Sequence, residues 1–357
     1  MTHTFPYKWT LAEANFTKNK GKVFSCFACG GGSTMGYKLA GFDVLGCNEI
    51  DPKMIEAYKT NHNPKYAFLE PIQTFKNRDD LPEELYNLDI LDGSPPCSSF
   101  SMVGNRGDDW GKEKKFREGQ AEQVLDTLFF DFIDLAKKLQ PKVVIAENVK
   151  GLLLGEARAY VSKIYEAFDA AGYIVQHWLL DGSTMGVPQK RERVFFVAMR
   201  KDLAEPFLKA KDMFTLAPNL NLNFNEPKIP FKSFNEIDNV EYLVSDFYLT
   251  LWEQRLDGDV SFANINERVR DKKNTGFGTN FLYKNNVCGT LTTKKDCYVL
   301  FDEPRYLSDY ETKCVGSYPQ DYDFCGNRPH YLVGMSVPPV MTAQIAKQVY
   351  EQWLSKL

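Results

Sequence analysis

The chain lacks a basic balance: 43 lysines and arginines stand against 47 aspartates and glutamates in 357 residues, a formal charge of -4 and a pI near 5.8. A protein that grips nucleic acid without regard to sequence is basic overall, so any such contact here is a local patch on an acidic body. It also lacks a run of 18 apolar residues, and its opening MTHTFPYKWT holds no apolar signal-peptide core. Neither membrane insertion nor secretion is expected, and a cytoplasmic location is the simpler reading. Cys26-x-x-Cys29 is the sole CxxC pair and has no second pair or histidine pair at zinc spacing, so a zinc finger is rejected and no metal is expected. The eight cysteines are scattered through a chain too large to need disulfide staples, which fits a reducing compartment. No internal repeat is visible. At 43% hydrophobic and 25% charged, the chain can build one large domain and a smaller one.

What is present is an alternation of strands and helices. Val23-Phe24-Ser25-Cys26-Phe27-Ala28 is a buried-strand run that enters Cys29-Gly30-Gly31-Gly32-Ser33-Thr34-Met35-Gly36 and then a helical stretch to Ala40. Strand, glycine turn and helix open a Rossmann-like nucleotide-binding sheet, because glycines admit close backbone approach and the helix start offers N–H donors. Phe42 to Glu49 is the next strand, and Glu49 ends it some 20 residues past the first. An acid there accepts hydrogen bonds from ribose hydroxyls; a helix-capping or solvated acid is the alternative. Asp51-Pro52 starts a helix through Tyr58, and Tyr66 to Leu69 is a third strand with Pro71-Ile72 at its end.

Asp89 to Gly93 is a fourth strand, and it runs into Ser94-Pro95-Pro96-Cys97. The two prolines hold the backbone before Cys97 extended, and a thiol on a rigid strand-end turn is a candidate nucleophile. A buried structural cysteine is the other reading. Ser98 to about Arg117 has no periodicity and carries Arg106, Lys112, Lys114 and Lys115, so it reads as a lid over an anionic substrate or as a solvated loop. Gln120 to Leu139 is helical, with an apolar face that includes Val124, Leu125, Leu128, Phe129 and Phe132. Lys142 to Val149 is a fifth strand that stays apolar until Glu147-Asn148, where sheets of this kind bind ligands. Glu156 to Ala171 is a helix and Tyr173 to Leu180 a strand. Gln189-Lys190-Arg191-Glu192-Arg193 leads into the strand Val194 to Met199, and a period of two puts Arg191 and Arg193 on the same side.

Composition shifts after Arg200. The spacing divides the chain into a catalytic and cofactor-binding domain over 1–200, a smaller irregular domain over 201–288, and a return segment over 289–357 that ends in a helix from Met341 to Leu354. In the middle part aromatics are interleaved with Arg268, Arg270, Lys272, Lys273 and Lys284. Such a surface suits DNA, and the aromatics could equally form the small domain's own core.

These motifs, in this order, resemble the C5-cytosine DNA methyltransferases from Val23 to Ala346, apart from the variable 201–288 region. Phe27-Ala28 with Gly31-Gly32 and Gly36, Pro95-Pro96-Cys97 with Phe100-Ser101, Glu147-Asn148-Val149, Gln189-x-Arg191-x-Arg193, Arg305-x-Leu307-Ser308-x-x-Glu311 with Tyr318-Pro319, and Gly334 with Val337-Pro338-Pro339 carry the resemblance. It implies an α/β fold, a Rossmann-like S-adenosylmethionine-dependent methyltransferase sheet with helices on both faces, plus a target-recognition domain over 201–288. It implies that Cys97 adds to C6 of a flipped-out cytosine in duplex DNA and that Glu147 serves N3. Arg193, with Arg191, would hold O2 or orient Glu147. S-adenosylmethionine would lie over Phe27, Ala28, Gly30, Gly31 and Gly32, with Glu49 on its ribose and Ile50, Ile72, Ser94, Pro96, Ser336 and Val337 completing the pocket. A cognate restriction endonuclease and a monomeric state are further expectations. The sequence departs from the pattern at Ser25 and Pro71, where an acid is usual, at Cys29, where glycine is usual, and at Ser98, Met335 and the residues after Glu311. An RNA-directed enzyme acting on tRNA, a relative transferring a modified group, and a non-catalytic nucleic-acid-binding relative are the competing readings.

Overall fold

The computed structural model describes residues 2–96, 127–154, 158–210, 216–236, 240–271 and 278–357, together with the backbone of 113–114 and 123–124. Cys97, most of the loop that follows it, Lys272 and Lys273 lie outside the described residues.

Strand β1 (Lys22–Cys26) leads through the glycine turn into helix α1 (Gly32–Leu39), β2 (Asp43–Glu49) and α2 (Pro52–His62). Asp51 caps α2 by accepting from the Lys53 and Met54 amides, and Pro52 occupies the first turn, where its missing N–H costs nothing. Then come β3 (Tyr66–Leu69), α3 (Ile72–Lys76) and β4 (Ile90–Gly93). Two short strands, β5 (Glu113–Lys114) and β6 (Gln123–Val124), pair antiparallel. Helix α4 spans Leu128–Leu139. The helix expected from Gln120 therefore starts eight residues later, because Gln123 and Val124 have their backbones in a strand pair. Strand β7 (Val143–Val149), α5 (Arg158–Ala170), β8 (Tyr173–Asp181) and β9 (Glu192–Arg200) complete the main sheet.

The seven strands lie in the order β3-β2-β1-β4-β7-β9-β8. β9 runs antiparallel to both its neighbours, and the other pairs among them are parallel. Successive residues feed opposite faces. Phe24, Leu91, Val144 and Phe196 join one core with Phe75, Phe132 and Ile164 from α3, α4 and α5. Val23, Ile90, Ile145 and Val197 join the other with Tyr37 of α1. The α/β architecture expected from the sequence is the one observed. The chain leaves β1 in one direction and re-enters at β4 in the other, so the crevice at the carboxyl ends of these two strands is the topological switch point where such sheets bind ligands.

After β9 come α6 (Lys201–Ala204), the antiparallel pair β10 (Leu208–Ala210) and β11 (Leu216–Pro218), α7 (Asp246–Trp252), α8 (Phe262–Arg270) and the parallel pair β12 (Asn280–Leu282) and β13 (Tyr298–Leu300). The chain closes with α9 (Asp309–Val315), α10 (Pro329–Met335) and α11 (Pro339–Gln352). Leu220 and Leu222 pack with Met341, Val349 and Trp353 of the sheet's second core, and Trp353 Nε1 donates to the Asn219 carbonyl at 2.7 Å. Val244, Leu251, Phe262, Ile265, Phe281 and Val299 form a separate cluster, wrapped by Tyr248, Trp252, Tyr283, Phe301 and Tyr306. Tyr248, Trp252, Phe262, Phe281 and Tyr283 thus pack on one another, whereas Phe231 and Phe234 join the core around Trp9 and Phe247 is exposed. Of its cations, Arg268 pairs with Asp259 at 2.9 Å, Arg270 lies over the Phe247 ring, and Lys284 stands 3.3 Å from Asp302.

Candidate active site

The glycine turn is bent by three residues in the left-handed region, Phe27 (φ 53°), Cys29 (φ 49°) and Gly31 (φ 87°). Two of them carry side chains, a conformation that costs energy and is kept where surrounding contacts fix it. Glu49 supplies such contacts from the end of β2. Its carboxylate accepts from the amides of Cys29 (2.7 Å), Ile50 (2.8 Å) and Asp51 (2.9 Å). Burial raises the Glu49 pKa, and these amides oppose the shift. Oε1 takes the Ile50 and Asp51 bonds and Oε2 only that of Cys29, so Oε2 keeps a lone-pair direction that can accept a hydroxyl. Cys29 touches Met54 Sδ at 3.4 Å, and burial, then the Glu49 charge, push its thiol up to about 12. That keeps it protonated and unreactive.

The residues expected to hold a cofactor gather at this end of the sheet. Gly32 stands so close to Ser336 and the Val337 carbonyl that a Cβ would strike both. Ser336 Oγ accepts from Tyr318 at 2.6 Å and donates to the Leu332 carbonyl at 2.8 Å. Phe27 is half-buried, its ring 6.3 Å from that of Phe132, and Ala28 is buried beside Cys47 and Tyr58. Ser94 and Pro96 follow β4 and are half-buried. Ile72 is buried in the first core beside Phe24 and Phe75. A half-buried ring, a glycine turn and a carboxylate at the next strand end make a donor and acceptor set that fits an adenosyl cofactor.

Next to this crevice, β7 brings Asn148 to the Pro-Pro turn and Glu147 to Arg193 of β9. Asn148 Nδ2 donates to the Pro95 carbonyl at 3.1 Å, and its Oδ1 accepts from the Val149 amide at 2.9 Å. Glu147 lies opposite Phe195 in the β7–β9 ladder, so Arg193 is its diagonal neighbour on the same face. Arg193 Nε stands 2.8 Å from Glu147 Oε1, with the two side chains 15% and 12% exposed.

Arg191 precedes β9 and is 1% exposed. Its Nη1 donates to the Leu291 carbonyl (3.0 Å), and its Nη2 donates to the carbonyls of Gly334 (2.9 Å) and Ser336 (3.0 Å). Gln189 Nε2 donates to the Val315 carbonyl at 3.2 Å, and its Oε1 accepts from the Leu291 amide at 3.1 Å. Burial, then the Arg193 charge, lower the Arg191 pKa, and Glu147 raises it. The two arginines are electrostatic neighbours with different partners. Arg305 donates from Nη1 and Nη2 to both oxygens of Glu311, at 2.8 and 2.9 Å, and Glu311 also closes the capping box of α9 with Ser308. Among the described residues no group of three or more His, Cys, Asp or Glu could hold a metal ion.

Two residues here escaped the sequence reading. Asp92 is buried in β4 under the glycine turn; an acid inside the run Asp89-Ile90-Leu91-Asp92-Gly93 was its signal. His62 ends α2, and its Nε2 lies 3.2 Å from the Gly30 carbonyl, which also accepts from Tyr322 at 2.6 Å. Nothing in its local pattern marks that role.

The strand order, the antiparallel β9 and the acid-lined crevice at the switch point define the fold of the S-adenosylmethionine-dependent methyltransferases. The model of the C-5 cytosine-specific DNA methylase family matches residues 21–351, and the chain belongs to that family. It is 32% identical over 244 residues to the Type II methyltransferase M.NgoPII of Neisseria gonorrhoeae, covering 65% of this chain and 66% of that protein. To the Type II methyltransferase M1.HphI of Haemophilus parahaemolyticus it is 28% identical over 336 residues, 90% of this chain and 85% of the relative. Among solved structures, a putative DNA modification methyltransferase encoded within an E. coli prophage superposes with a TM-score of 0.62 at 21% identity, covering 93% of this chain and 99% of that one. No helix among the described residues is long and apolar enough to cross a membrane.

Proposed function

We propose that the chain transfers a methyl group from S-adenosylmethionine to C5 of a cytosine turned out of duplex DNA. The observation that supports this most is the pairing at the carboxyl end of β7, where Glu147 meets Arg193 at 2.8 Å and the adjacent Asn148 holds the Pro95 carbonyl of the turn leading to Cys97. An acid and a candidate nucleophile thus issue from neighbouring strands. Cytosine C5 is a poor nucleophile until a thiolate adds at C6. Cys97 supplies that thiolate in this reading, and Glu147 shares a proton at N3 to relieve the charge that develops on the ring. Once C5 carries the methyl group, water takes the C5 proton and the Cys97 thiolate leaves C6, which restores the ring. Arg193 fixes the Glu147 carboxylate and carries the positive charge that an acid beside a thiolate requires. Arg191 acts as the brace that joins this strand to the 334–336 segment.

When bound, S-adenosylmethionine supplies an electrophilic methyl group. Phe27, Ala28, Gly30, Gly31, Gly32, Glu49, Ile50, Ile72, Ser94, Pro96, Ser336 and Val337 are the residues we assign to its pocket, with Glu49 on the ribose hydroxyls. A duplex buries the target atom, so the base must be extruded to reach Cys97. We assign sequence reading to the part of the 201–288 region and its return that has its own core, residues 240–306. The Type II designation of the relatives supports a cognate restriction endonuclease as partner, with the chain acting as a cytoplasmic monomer.

The test is expression in a host without cytosine methylation, followed by base-resolution sequencing of genomic DNA beside a Cys97→Ala control. Modified cytosine at one short motif, absent from the control, is expected. Unmodified DNA from soluble, folded protein overturns the reading and directs the assay to tRNA.

A further inference from the structure

Asp92 is 4% exposed and sits in the middle of the sheet. Its Oδ2 accepts from Ser25 Oγ at 2.6 Å and from Ser33 Oγ at 2.7 Å, and its Oδ1 accepts from Tyr37 OH at 3.0 Å. Ser25 is its Cα partner across the parallel β1–β4 ladder. Ser33 lies in the first turn of α1, directly after Gly30–Gly32, and Tyr37 one turn further along. One carboxyl therefore joins the strand that enters the glycine turn, the helix that leaves it, and the strand that continues into Ser94-Pro95-Pro96. A buried carboxyl is costly unless hydrogen-bonded, and Ile90 and Leu91 beside it show that apolar packing suits this strand. Burial pushes Asp92 up to about 6 against the three hydroxyl bonds. A strand that keeps an acid at such cost is using it to hold parts in register.

We propose that Asp92 is a positioning residue for the cofactor: by tying Ser25, Ser33 and Tyr37 to β4 it sets the distance between the glycine turn and the turn that carries the nucleophile. The inference rests on the methyltransferase reading above. It also explains why Ser25 needs no acid of its own. The two positions face the same cluster, so the carboxyl can be supplied from either strand.

Calorimetric binding of S-adenosylmethionine, with duplex-DNA binding and thermal melting measured in parallel, tests this on the full chain. The proteins are the wild type, Ser33→Ala, Asp92→Ser, and the exchange Ser25→Asp with Asp92→Ser. Asp92→Ser is expected to weaken cofactor binding about tenfold, in the range by which loosened supporting shells act. Ser33→Ala should cost about threefold, the exchange should return affinity to within about threefold of wild type, and DNA affinity should stay within about twofold. Unchanged cofactor affinity in Asp92→Ser and Ser33→Ala, even with lower melting temperatures, overturns the proposal, as does an exchange no better than Asp92→Ser. Should Asp92→Ser not fold, Ser33→Ala and the exchange decide alone. A wild type that binds no S-adenosylmethionine defeats the methyltransferase reading itself, a distinguishable result.

Discussion

Glu147 and Arg193 meet diagonally across the β7–β9 ladder at 2.8 Å, whereas Arg191, two residues earlier, gives its donors to backbone carbonyls of Leu291, Gly334 and Ser336. The same residue type, at adjacent alternate positions, pairs with the acid of β7 in one case and with backbone carbonyls in the other. Lysine in place of each should separate them, because it keeps the charge and loses the planar fork. Arg193→Lys should lower kcat by about 10- to 100-fold with little change in melting temperature. Arg191→Lys leaves buried carbonyls short of donors and should cost about 2–3 kcal/mol of stability. Turnover and melting curves on the two variants check the contrast; equal profiles would refute it.

Asn148 provides a second handle. Its side chain bonds the Pro95 carbonyl and the Val149 amide, and so fixes the turn before Cys97 to β7. Asn148→Ala should reduce kcat about tenfold or more through misplacement of the turn, while S-adenosylmethionine affinity stays near wild type. A loss confined to cofactor affinity would contradict the assignment.

His62 sets a pH dependence of stability. Burial, then the Lys38 charge, push its pKa down to about 3 from 6.5. The native state then binds fewer protons than the unfolded chain between these values, so the stabilisation is full above pH 6.5 and is lost as the pH falls toward 3. Asp92 runs the other way: its native pKa of about 6 lies above 3.8, so its contribution is full below 3.8 and gone above about 6. His62→Gln keeps a donor for the Gly30 carbonyl and removes only the histidine titration. Urea unfolding at pH 7.5 and pH 5 should show wild type losing about 2 kcal/mol more than the variant. Parallel losses would exclude His62 as the titrating group.

Gly31 tests the turn. Its φ of 87° disfavours any side chain, and a Cβ there would run into the His62 ring. Gly172 has a similar φ of 93° with nothing within 4 Å of a Cβ. Gly172→Ala should cost about 1 kcal/mol and leave turnover intact, whereas Gly31→Ala adds a steric clash and should abolish cofactor binding. Calorimetry on both variants gives the answer.

The strands were readable because their signal is local. Val143 to Ala146 and Val194 to Met199 are unbroken apolar runs, as strands covered on both faces must be. The start of α4 differs from the expectation because Val124 and Leu125 continue the helix's apolar spacing, while the strand pair that claims Val124 depends on Glu113, eleven positions away. Glu147 was legible as a strand-end acid. The distinct duty of Arg191 was not, since its partners lie 100 to 145 residues downstream. Asp92 and His62 share that difficulty: what each does depends on which elements the topology sets beside it. The sequence left open whether the aromatics of 201–288 face DNA or one another, and Phe262 against Phe281, with ring centroids 5.0 Å apart, belongs to a core.

The abutment of Gly32 on Ser336 and Val337 also orders events during synthesis. The first 200 residues contain every strand of the large sheet, but the helix α11 that covers its second core comes from the far end of the chain. The walls that seal the glycine turn emerge from the ribosome some 137 residues later, a delay on the order of ten seconds at ordinary elongation rates. Fragments from interrupted translation would therefore lack both the walls of the glycine turn and the cover of the second core, and would leave DNA unmarked.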